Sequence, residues 1–131
     1  MSFPPQRVLI IDDHAQFRAI ARELLERRGF AVVGEADGAK AGLEAAGAVA
    51  PDAVVLDIHL PDGNGIDVCR ALTEANPGLV VLLVSADAQH GRWTSDCGAV
   101  AFVPKMRLAS ADLDGLLRGG AVEALTGRAT G

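Results

Sequence analysis

Four short apolar runs, each followed directly by a polar side chain, constrain the fold of this chain more than any other feature of its sequence. The runs cover residues 8–11, 53–56, 80–84 and 101–104, and their apolar residues follow one another without alternation. Continuous runs of this length are typical of strands buried on both faces, as in a parallel sheet covered by helices. The polar residues that follow them are, in chain order, Asp12 with Asp13, Asp57, Ser85 and Lys105.

Helical patterns and one weaker strand fill the intervening segments. Apolar residues at helical spacing predict helices over about residues 15–28, over 39–47, and from Ile66 to the turn at 76–78. A strand is predicted at 31–36, and a weak, short helix at 89–96. Ser110 is predicted to cap a last helix with Asp112 in its first turn. The inward stripes are Phe17, Ile20, Leu24 and Leu25 in the first helix, and Leu113, Leu116 and Leu117 in the last.

This alternation of elements predicts one α/β domain. Strand and helix alternate five times, so we expect a flavodoxin-like, doubly wound (βα)5 fold with a five-stranded parallel sheet in the order 2-1-3-4-5. We place the domain at residues 7–118, after an N-terminal tail over residues 1–6. Residues 119–131 are rich in Gly and Ala, and we expect them to form a frayed or disordered C-terminal tail.

Charge and composition narrow the classes of function. The formal net charge is −5, which argues against sequence-independent binding of nucleic acid. No apolar stretch approaches the roughly 18 residues of a membrane span, and the N-terminus lacks the apolar core of a secretory signal. Cys69 and Cys97 form no CxxC pattern, and two free thiols fit a reducing compartment. We therefore expect a cytoplasmic protein that binds neither a membrane nor nucleic acid directly.

Three carboxylates at one edge of a parallel sheet indicate a metal site. The carboxyl ends of parallel strands meet there, so Asp12, Asp13 and Asp57 are expected to lie close together and to repel one another. A divalent cation relieves the repulsion, and Mg²⁺, or Mn²⁺ in its place, prefers such oxygen ligands. Asp13 and Asp57 are predicted to bind it directly, Asp12 through water, and the backbone carbonyl of His59 to add a ligand. Asp12 and Asp13 are equally well explained as residues that favour a helix N-terminus.

The remaining polar residues suit phosphoryl transfer to Asp57. A carboxylate can act as a nucleophile and form an aspartyl-phosphate when a metal and a second cation screen the incoming oxygens. Lys105 supplies that cation and Ser85 a hydroxyl donor. Gly63 and Gly65 allow the chain beyond Asp57 to turn tightly. Taken singly, Lys105 also fits a solvated surface lysine and Ser85 a turn residue, but their joint occurrence favours a site.

These motifs resemble a response-regulator receiver domain of two-component signalling, over about residues 7–118. The matching segments are 11–14 (IDDH), 55–63 (VLDIHLPDG), 85–86 (SA) and 98–105 (GAVAFVPK). Each segment is moderately specific, whereas four in order, each closing a predicted strand, are a strong signature. Residues 13–18 (DHAQFR) are closest to the receiver type usually paired with a LuxR-like helix-turn-helix. We expect this receiver to stand alone, so DNA binding is not carried over.

The resemblance implies a role for each site residue. Asp57 would be the phosphoacceptor, Asp12 and Asp13 the acid pocket, Ser85 the switch hydroxyl, and Lys105 the lysine that contacts the phosphoryl group. The phosphoryl group would come from a histidine kinase or a histidine phosphotransfer protein, and the signal would pass to a downstream protein target. A homodimer through the last helices stays open. The protein would be no enzyme beyond its own phosphoryl acceptance and slow autodephosphorylation.

Some positions depart from the family pattern or flank the site. Phe102 takes the position of the switch aromatic, where tyrosine is common, and a plain core phenylalanine is the alternative. His59 and Asp87, each two residues beyond a site residue, resemble positions that tune the lifetime of the phosphate. We predict that changing either one alters the rate of dephosphorylation. His14 and His90 are interpreted as solvated.

Two other classes of function share parts of this pattern. A metal-dependent phosphatase with an aspartyl-phosphate intermediate generally has a second aspartate two residues after the nucleophile, where this chain has His59. A receiver-like interaction module would bind partners without being phosphorylated, and the intact site argues against it. We therefore expect a switch driven by phosphorylation.

Overall fold

The computed structural model describes residues 4–87 and 97–118. Its strands are β1 (Arg7–Ile11), β2 (Ala31–Ala36), β3 (Ala53–Asp57), β4 (His59–Leu60), β5 (Gly63–Asn64), β6 (Val80–Ser85) and β7 (Ala101–Pro104). Five of them form one parallel sheet in the order β2-β1-β3-β6-β7, while β4 and β5 pair as a short antiparallel ladder. The predicted α/β fold and the strand order 2-1-3-4-5 are confirmed, with β6 and β7 as the fourth and fifth strands of the sheet.

The sheet is covered by helical segments on both faces. The helices are α1 (Ala15–Arg27), α2 (Ala39–Val49) and α3 (Gly65–Ala75). Successive side chains of a strand point to opposite faces, so Leu9 and Ile11 of β1 enter one apolar cluster while Val8 and Ile10 enter the other. Residues of α2 and α3 complete the first cluster, and residues of α1 and of the segment after β7 complete the second. This is a doubly wound arrangement.

Helix α1 departs from the prediction at one position. Ile20 was expected on the inward stripe, but its side chain is 55% exposed. The buried residues are Ala21 and Leu25, and Phe17 and Leu24 pack partly buried beside them. These positions follow the i, i+4, i+7, i+8 spacing of a buried helix face. Because the small Ala21 faces the sheet, Ile20 is turned to the flank of the helix.

The ends of the helices follow local backbone chemistry. Gly29 ends α1 in the left-handed conformation, with φ +88°, as predicted. Helix α2 runs two residues beyond its predicted end at residue 47 and is closed by Ala50, which is also left-handed at φ +46°. The side chain of Asn64 caps α3 by accepting the N–H of Ile66 at 2.7 Å.

The segment after β7 differs from the predicted last helix. A 3₁₀-helix covers Lys105–Ser110, and one π-helical turn covers Asp114–Arg118. The predicted cap by Ser110 is wrong, because Ser110 is itself the last residue of the 3₁₀-helix, where its hydroxyl donates to the backbone carbonyl of Arg107 at 3.1 Å. The carboxylate of Asp112 accepts the N–H of Gly115 at 3.0 Å instead. The predicted inward side chains are buried or partly buried, namely Leu113, Leu116 and Leu117.

Some predictions fall outside the described residues. They are the weak helix at 89–96, the solvated side chain of His90 and the tail at 119–131. The domain limits at residues 7 and 118 stay predictions. Within residues 4–87 and 97–118, no helix is both long enough and apolar enough to cross a bilayer.

Both cysteines are reduced and buried in the core. The Sγ of Cys69 donates to the backbone carbonyl oxygen of Cys97 at 3.3 Å. Burial, followed by the neighbouring Cys97, raises the pKa of the Cys69 thiol well above its ordinary value. A buried thiol that stays protonated behaves as a small apolar side chain.

Candidate functional site

The register of the sheet brings the predicted site residues to one edge. Strands β1 and β3 pair so that Asp12, which follows β1, comes beside Asp57 at the end of β3. The last residue of β6, Ser85, pairs with the last residue of β7, so Lys105 follows at the same edge. Residues that are distant in sequence therefore meet because parallel strands end together.

The ammonium of Lys105 contacts two of the carboxylates. Its Nζ lies 2.7 Å from Oδ2 of Asp12 and 3.4 Å from Oδ2 of Asp57. It also lies 4.7 Å from the centroid of the Phe17 ring, a cation–π contact. Only 14% of the Lys105 side chain is exposed, so solvent screens its attraction to the two carboxylates only weakly. A solvated surface lysine, the alternative interpretation, does not describe this side chain.

Asp12 and Asp57 are buried carboxylates. Their side chains are 0% and 3% exposed. Oδ1 of Asp12 accepts the backbone N–H of His14 at 2.8 Å, and Oδ1 of Asp57 accepts that of His59 at 3.2 Å. Burial, and after it the charge of Asp12, raises the pKa of Asp57, while Lys105 and the N–H of His59 act in the opposite direction. The negative charge of Asp57 is therefore only partly compensated.

The donor set fits a divalent cation. The three carboxylates and one ammonium carry a formal charge of −2 (−3 + 1). Oδ2 of Asp12 is buried, and its charge partner is the Lys105 ammonium at 2.7 Å. One oxygen from each of Asp12, Asp13 and Asp57, together with a ring nitrogen of His14, lies within 4.8 Å of the others. Carboxylate oxygens that converge in this way are typical ligands of Mg²⁺.

His14 belongs to this cluster, which sequence reasoning missed. Its side chain is 65% exposed, in line with the solvated interpretation, yet its Nδ1 lies 3.2 Å from Oδ1 of Asp12 and 3.2 Å from Oδ1 of Asp13. The same nitrogen lies 3.4 Å from Nζ of Lys105. A single histidine before a helix has no spacing pattern that predicts such contacts. The signal available was its place directly after the acid pair.

Ser85 ends β6 at the edge that carries the acid cluster, whereas Phe102 lies on β7 two residues before its end, opposite Leu83. Ser85 is fully buried, and its Oγ accepts the backbone N–H of Asp87 at 3.0 Å. A hydroxyl that accepts one hydrogen bond still has its own hydrogen to donate. Phe102 is partly buried against the core. The switch roles of Ser85 and Phe102, the rate-tuning roles of His59 and Asp87, and the His59 carbonyl as a ligand stay predictions.

Asp62 links the loop after Asp57 to helix α2. Its carboxylate accepts the backbone N–H groups of Ala39 at 2.6 Å and Lys40 at 3.1 Å. The N-cap residue of α2 is Gly38, which has no side chain to bond these donors. The two hydrogen bonds lower the pKa of Asp62. Sequence reasoning missed this cap because 23 residues separate the carboxylate from the helix start.

Gly65 is required by close packing. A Cβ there would overlap the backbone carbonyl oxygen of Asp57 and lie 2.7 Å from Cα of Ile58. A Cβ at Gly63 would lie 3.0 Å from that of Ala39. The loop does turn tightly, since Leu60 and Gly63 pair across two residues, but neither glycine has a positive φ. They let the loop approach neighbouring backbone and side chains.

Comparison with known proteins agrees with this geometry. Residues 8–114 match the family model described as the response regulator receiver domain. The chain belongs to this family. The match spans β3, β6 and β7 and every residue of the acid cluster.

The relatives of this receiver include regulators of the LuxR/NarL type. BvgA of Bordetella pertussis, named as a positive transcription regulator of virulence factors, is 39% identical over 101 residues, which cover 76% of this chain and 48% of BvgA. The chain therefore spans about half the length of such curated relatives. The signal receiver domain of NarL from Mycobacterium tuberculosis superposes with a TM-score of 0.78 and 30% identity, covering 91% of this chain and 98% of that domain.

Two similar solved structures contain a metal ion and other ligands. CheY from Borrelia burgdorferi, in a complex with CheX, BeF3 and Mg²⁺, has a TM-score of 0.71 and 25% identity over 76% of this chain and 78% of that one. A response regulator from Burkholderia pseudomallei contains a phosphorylated aspartic acid, a calcium ion and citrate. Its TM-score is 0.76, with 26% identity over 92% of this chain and 72% of that one.

Proposed function

We propose that this receiver accepts a phosphoryl group on Asp57 from a histidine kinase or a histidine phosphotransfer protein. The observation that carries the proposal is the cluster in which the buried Asp57, the acid pair and the Lys105 ammonium meet. The phosphorylated aspartic acid in the Burkholderia pseudomallei regulator supports it. The Mg²⁺ in the Borrelia burgdorferi complex supports Mg²⁺, or Mn²⁺ in its place, as the cofactor.

The chemistry follows from the charges around Asp57. A carboxylate oxygen of Asp57 bonds to phosphorus while the phosphorus–nitrogen bond of a phosphohistidine breaks. The bonding pair stays on the departing imidazole nitrogen, which takes a proton from water, and Asp57 becomes an acyl phosphate. Lys105 screens one phosphoryl oxygen from its position 3.4 Å from Asp57. Asp13, Asp57 and the His59 carbonyl, with Asp12 through water, would hold Mg²⁺, which would supply the rest of the charge neutralisation.

The switch in this proposal starts at Ser85. Its hydroxyl hydrogen turns toward the new phosphoryl oxygen, and the movement opens space that the partly buried Phe102 can fill. The population then shifts toward a conformation with a different surface around β7 and the segment after it. The signal passes to a downstream protein target, and the chain needs no catalytic activity beyond accepting and slowly losing its own phosphoryl group. Its setting in this proposal is the cytoplasm.

The lifetime of the phosphate is proposed to depend on His59 and Asp87. Both follow site residues by two positions, and the backbone N–H of each bonds a site side chain, Asp57 and Ser85 respectively. Replacing His59 by Ala is expected to change the dephosphorylation rate while Mg²⁺ affinity stays the same. Equal aspartyl-phosphate half-lives in the wild type and His59→Ala would remove this part of the proposal.

The proposal is tested by intact mass. The chain is incubated with Mg²⁺ and a small acyl-phosphate donor, and the wild type is compared with Asp57→Asn. The matched control is Asp67→Asn, at an exposed carboxylate that pairs with Arg70 outside the site. One stable phosphoryl adduct in the wild type and the control, and none in Asp57→Asn, supports the proposal. Rapid release of free phosphate would indicate a phosphatase, and the absence of any adduct an interaction module.

A further inference from the structure

We infer that His14 adds a nitrogen ligand to the acid cluster, so that the site binds a transition-metal ion of the Co²⁺, Ni²⁺ and Zn²⁺ class more tightly than Mg²⁺. Because the metal site belongs to the proposed function, this inference rests on it and deepens it. What is new is a fourth ligand, the imidazole Nδ1, and the metal class that this ligand selects.

The distances around Nδ1 are those of neighbouring ligands on one ion. Nδ1 of His14 lies 3.2 Å from Oδ1 of Asp12 and 3.2 Å from Oδ1 of Asp13. Adjacent ligand atoms of an octahedral ion with bonds of about 2.1 Å lie about 3 Å apart. A ring N–H can donate a well-directed hydrogen bond to one of the two oxygens, whereas an ion between them would bind all three atoms. The same spacing therefore serves a hydrogen bond between the ring and Asp12 without a metal and the ligands of one ion with it.

The ring of His14 is held by contacts within the acid cluster, where Nδ1 is hydrogen-bonded to Oδ1 of Asp12 at 3.2 Å and lies 3.4 Å from Nζ of Lys105. His14 is the N-cap residue of α1, but its side chain makes no capping hydrogen bond. Its backbone N–H is held by Oδ1 of Asp12 at 2.8 Å, which fixes the residue over the acid pair. Oδ2 of Asp12, fully buried in the same cluster, has the Lys105 ammonium at 2.7 Å as its charge partner. The contacts of the His14 ring are therefore those of the acid cluster.

The type of ligand decides which metal ion is bound more tightly. Imidazole nitrogen is a common ligand of Co²⁺, Ni²⁺ and Zn²⁺, whereas Mg²⁺ takes hard oxygen ligands and keeps its waters. Removing the ring is expected to weaken Co²⁺ binding without changing that of Mg²⁺, which three carboxylates can hold. The ion also has to displace the Lys105 ammonium, whose Nζ lies 2.7 Å from Asp12 and 3.4 Å from Nδ1 of His14. This competition lowers the affinity of the site for both metals and does not favour either one.

The test measures Co²⁺ and Mg²⁺ affinity separately on the full chain. Equilibrium dialysis and the visible absorption of Co²⁺ are followed for the wild type, His14→Ala and His14→Asn. Asn is a favourable N-cap residue, so the second variant keeps the start of α1 intact. His90→Ala, at a histidine outside the described residues, is the matched control. We expect His14→Ala and His14→Asn to weaken Co²⁺ binding by at least about tenfold and to leave Mg²⁺ affinity within about twofold.

The outcomes separate this inference from the proposed function. Equal Co²⁺ affinity in the wild type and both His14 variants overturns it, as does a loss of Mg²⁺ affinity as large as that of Co²⁺. It is likewise overturned if the wild type binds Co²⁺ no more tightly than Mg²⁺, or if His90→Ala weakens Co²⁺ binding as much as His14→Ala. A wild type that binds Co²⁺ through His14 but takes no phosphoryl group on Asp57 overturns the proposed function alone.

Discussion

Replacing Lys105 by Met removes the ammonium while keeping a side chain of similar length. At an effective dielectric constant of about 20, the attraction of the Lys105 ammonium is about 6 kcal/mol to Asp12 at 2.7 Å and about 5 kcal/mol to Asp57 at 3.4 Å. These energies exceed the expected loss in the free energy of unfolding, because the variant no longer has to bury the ammonium. Loss of one partner of a buried pair typically costs about 3–5 kcal/mol.

Protonation sets a ceiling on this cost. A carboxylate left without a cation can take up a proton, and from an ordinary pKa of 3.8 this costs about 1.36 × (7.0 − 3.8), or about 4 kcal/mol, at about pH 7. At about pH 5 the same uptake costs about 1.6 kcal/mol. We therefore expect Lys105→Met to lower the free energy of unfolding by about 3–4 kcal/mol at about pH 7, and by less than about 2 kcal/mol at about pH 5.

Urea unfolding of the whole chain in EDTA, at both pH values, measures this difference. The matched control is Lys40→Met, since Lys40 is the chain's other lysine and is exposed; we expect a change within about 0.5 kcal/mol. Mg²⁺ is expected to stabilise Lys105→Met more than the wild type, because no ammonium competes with it for Asp12. Equal stability of Lys105→Met and the wild type at about pH 7, or a loss that does not shrink on acidification, would refute the reasoning.

Three further changes test other parts of the structure. The raised pKa of Asp57 means that its negative charge destabilises the native state, so Asp57→Asn is expected to stabilise the chain in EDTA near neutral pH. This increase in the denaturation midpoint should fade as the pH falls through the native pKa toward 3.8, where Asp57 of the wild type becomes neutral. Asp62→Ala should lower the denaturation midpoint. The difference in midpoint from the wild type should narrow as the pH falls through the native pKa of Asp62, which lies below 3.8. A difference in midpoint that does not depend on pH would contradict the charged cap. Gly65→Ala should cost about 1–3 kcal/mol in urea unfolding, because its Cβ would overlap the Asp57 carbonyl. Gly47→Ala, a helical control with nothing within 4 Å of the added Cβ, should instead be neutral or stabilising, and an equal loss in both would count against the packing argument.

Much of the fold could be predicted because one physical signal dominates it. A strand buried on both faces has to be apolar at every position, so β3 and β6 stand out in the sequence without reference to any partner. Once the strands are known to be parallel, their carboxyl ends meet, and the convergence of Asp12, Asp57 and Lys105 follows.

What could not be predicted depends on contacts between distant segments. Asp62 caps α2 across 23 residues, and no local spacing encodes that. The sequence predicts a cap at Ser110, but the 3₁₀-helix that follows β7 includes Ser110 and uses its hydroxyl internally, and the carboxylate of Asp112 accepts the N–H of Gly115 instead. The turn of the His14 ring toward the acid pair is a matter of side-chain conformation, to which an exposed position in the sequence gives no clue.

Chemical labelling tests directly whether Asp57 is the residue that accepts a phosphoryl group. The wild-type chain is treated with a small acyl-phosphate donor and Mg²⁺, reduced with borohydride, which converts an aspartyl-phosphate to homoserine, and sequenced by tandem mass spectrometry. We expect homoserine at residue 57 and at no other aspartate, and none when EDTA replaces Mg²⁺. Homoserine at Asp12 or Asp13 with Asp57 unchanged, or no homoserine at all, would contradict a buried carboxylate that accepts phosphate beside Lys105 and a divalent ion.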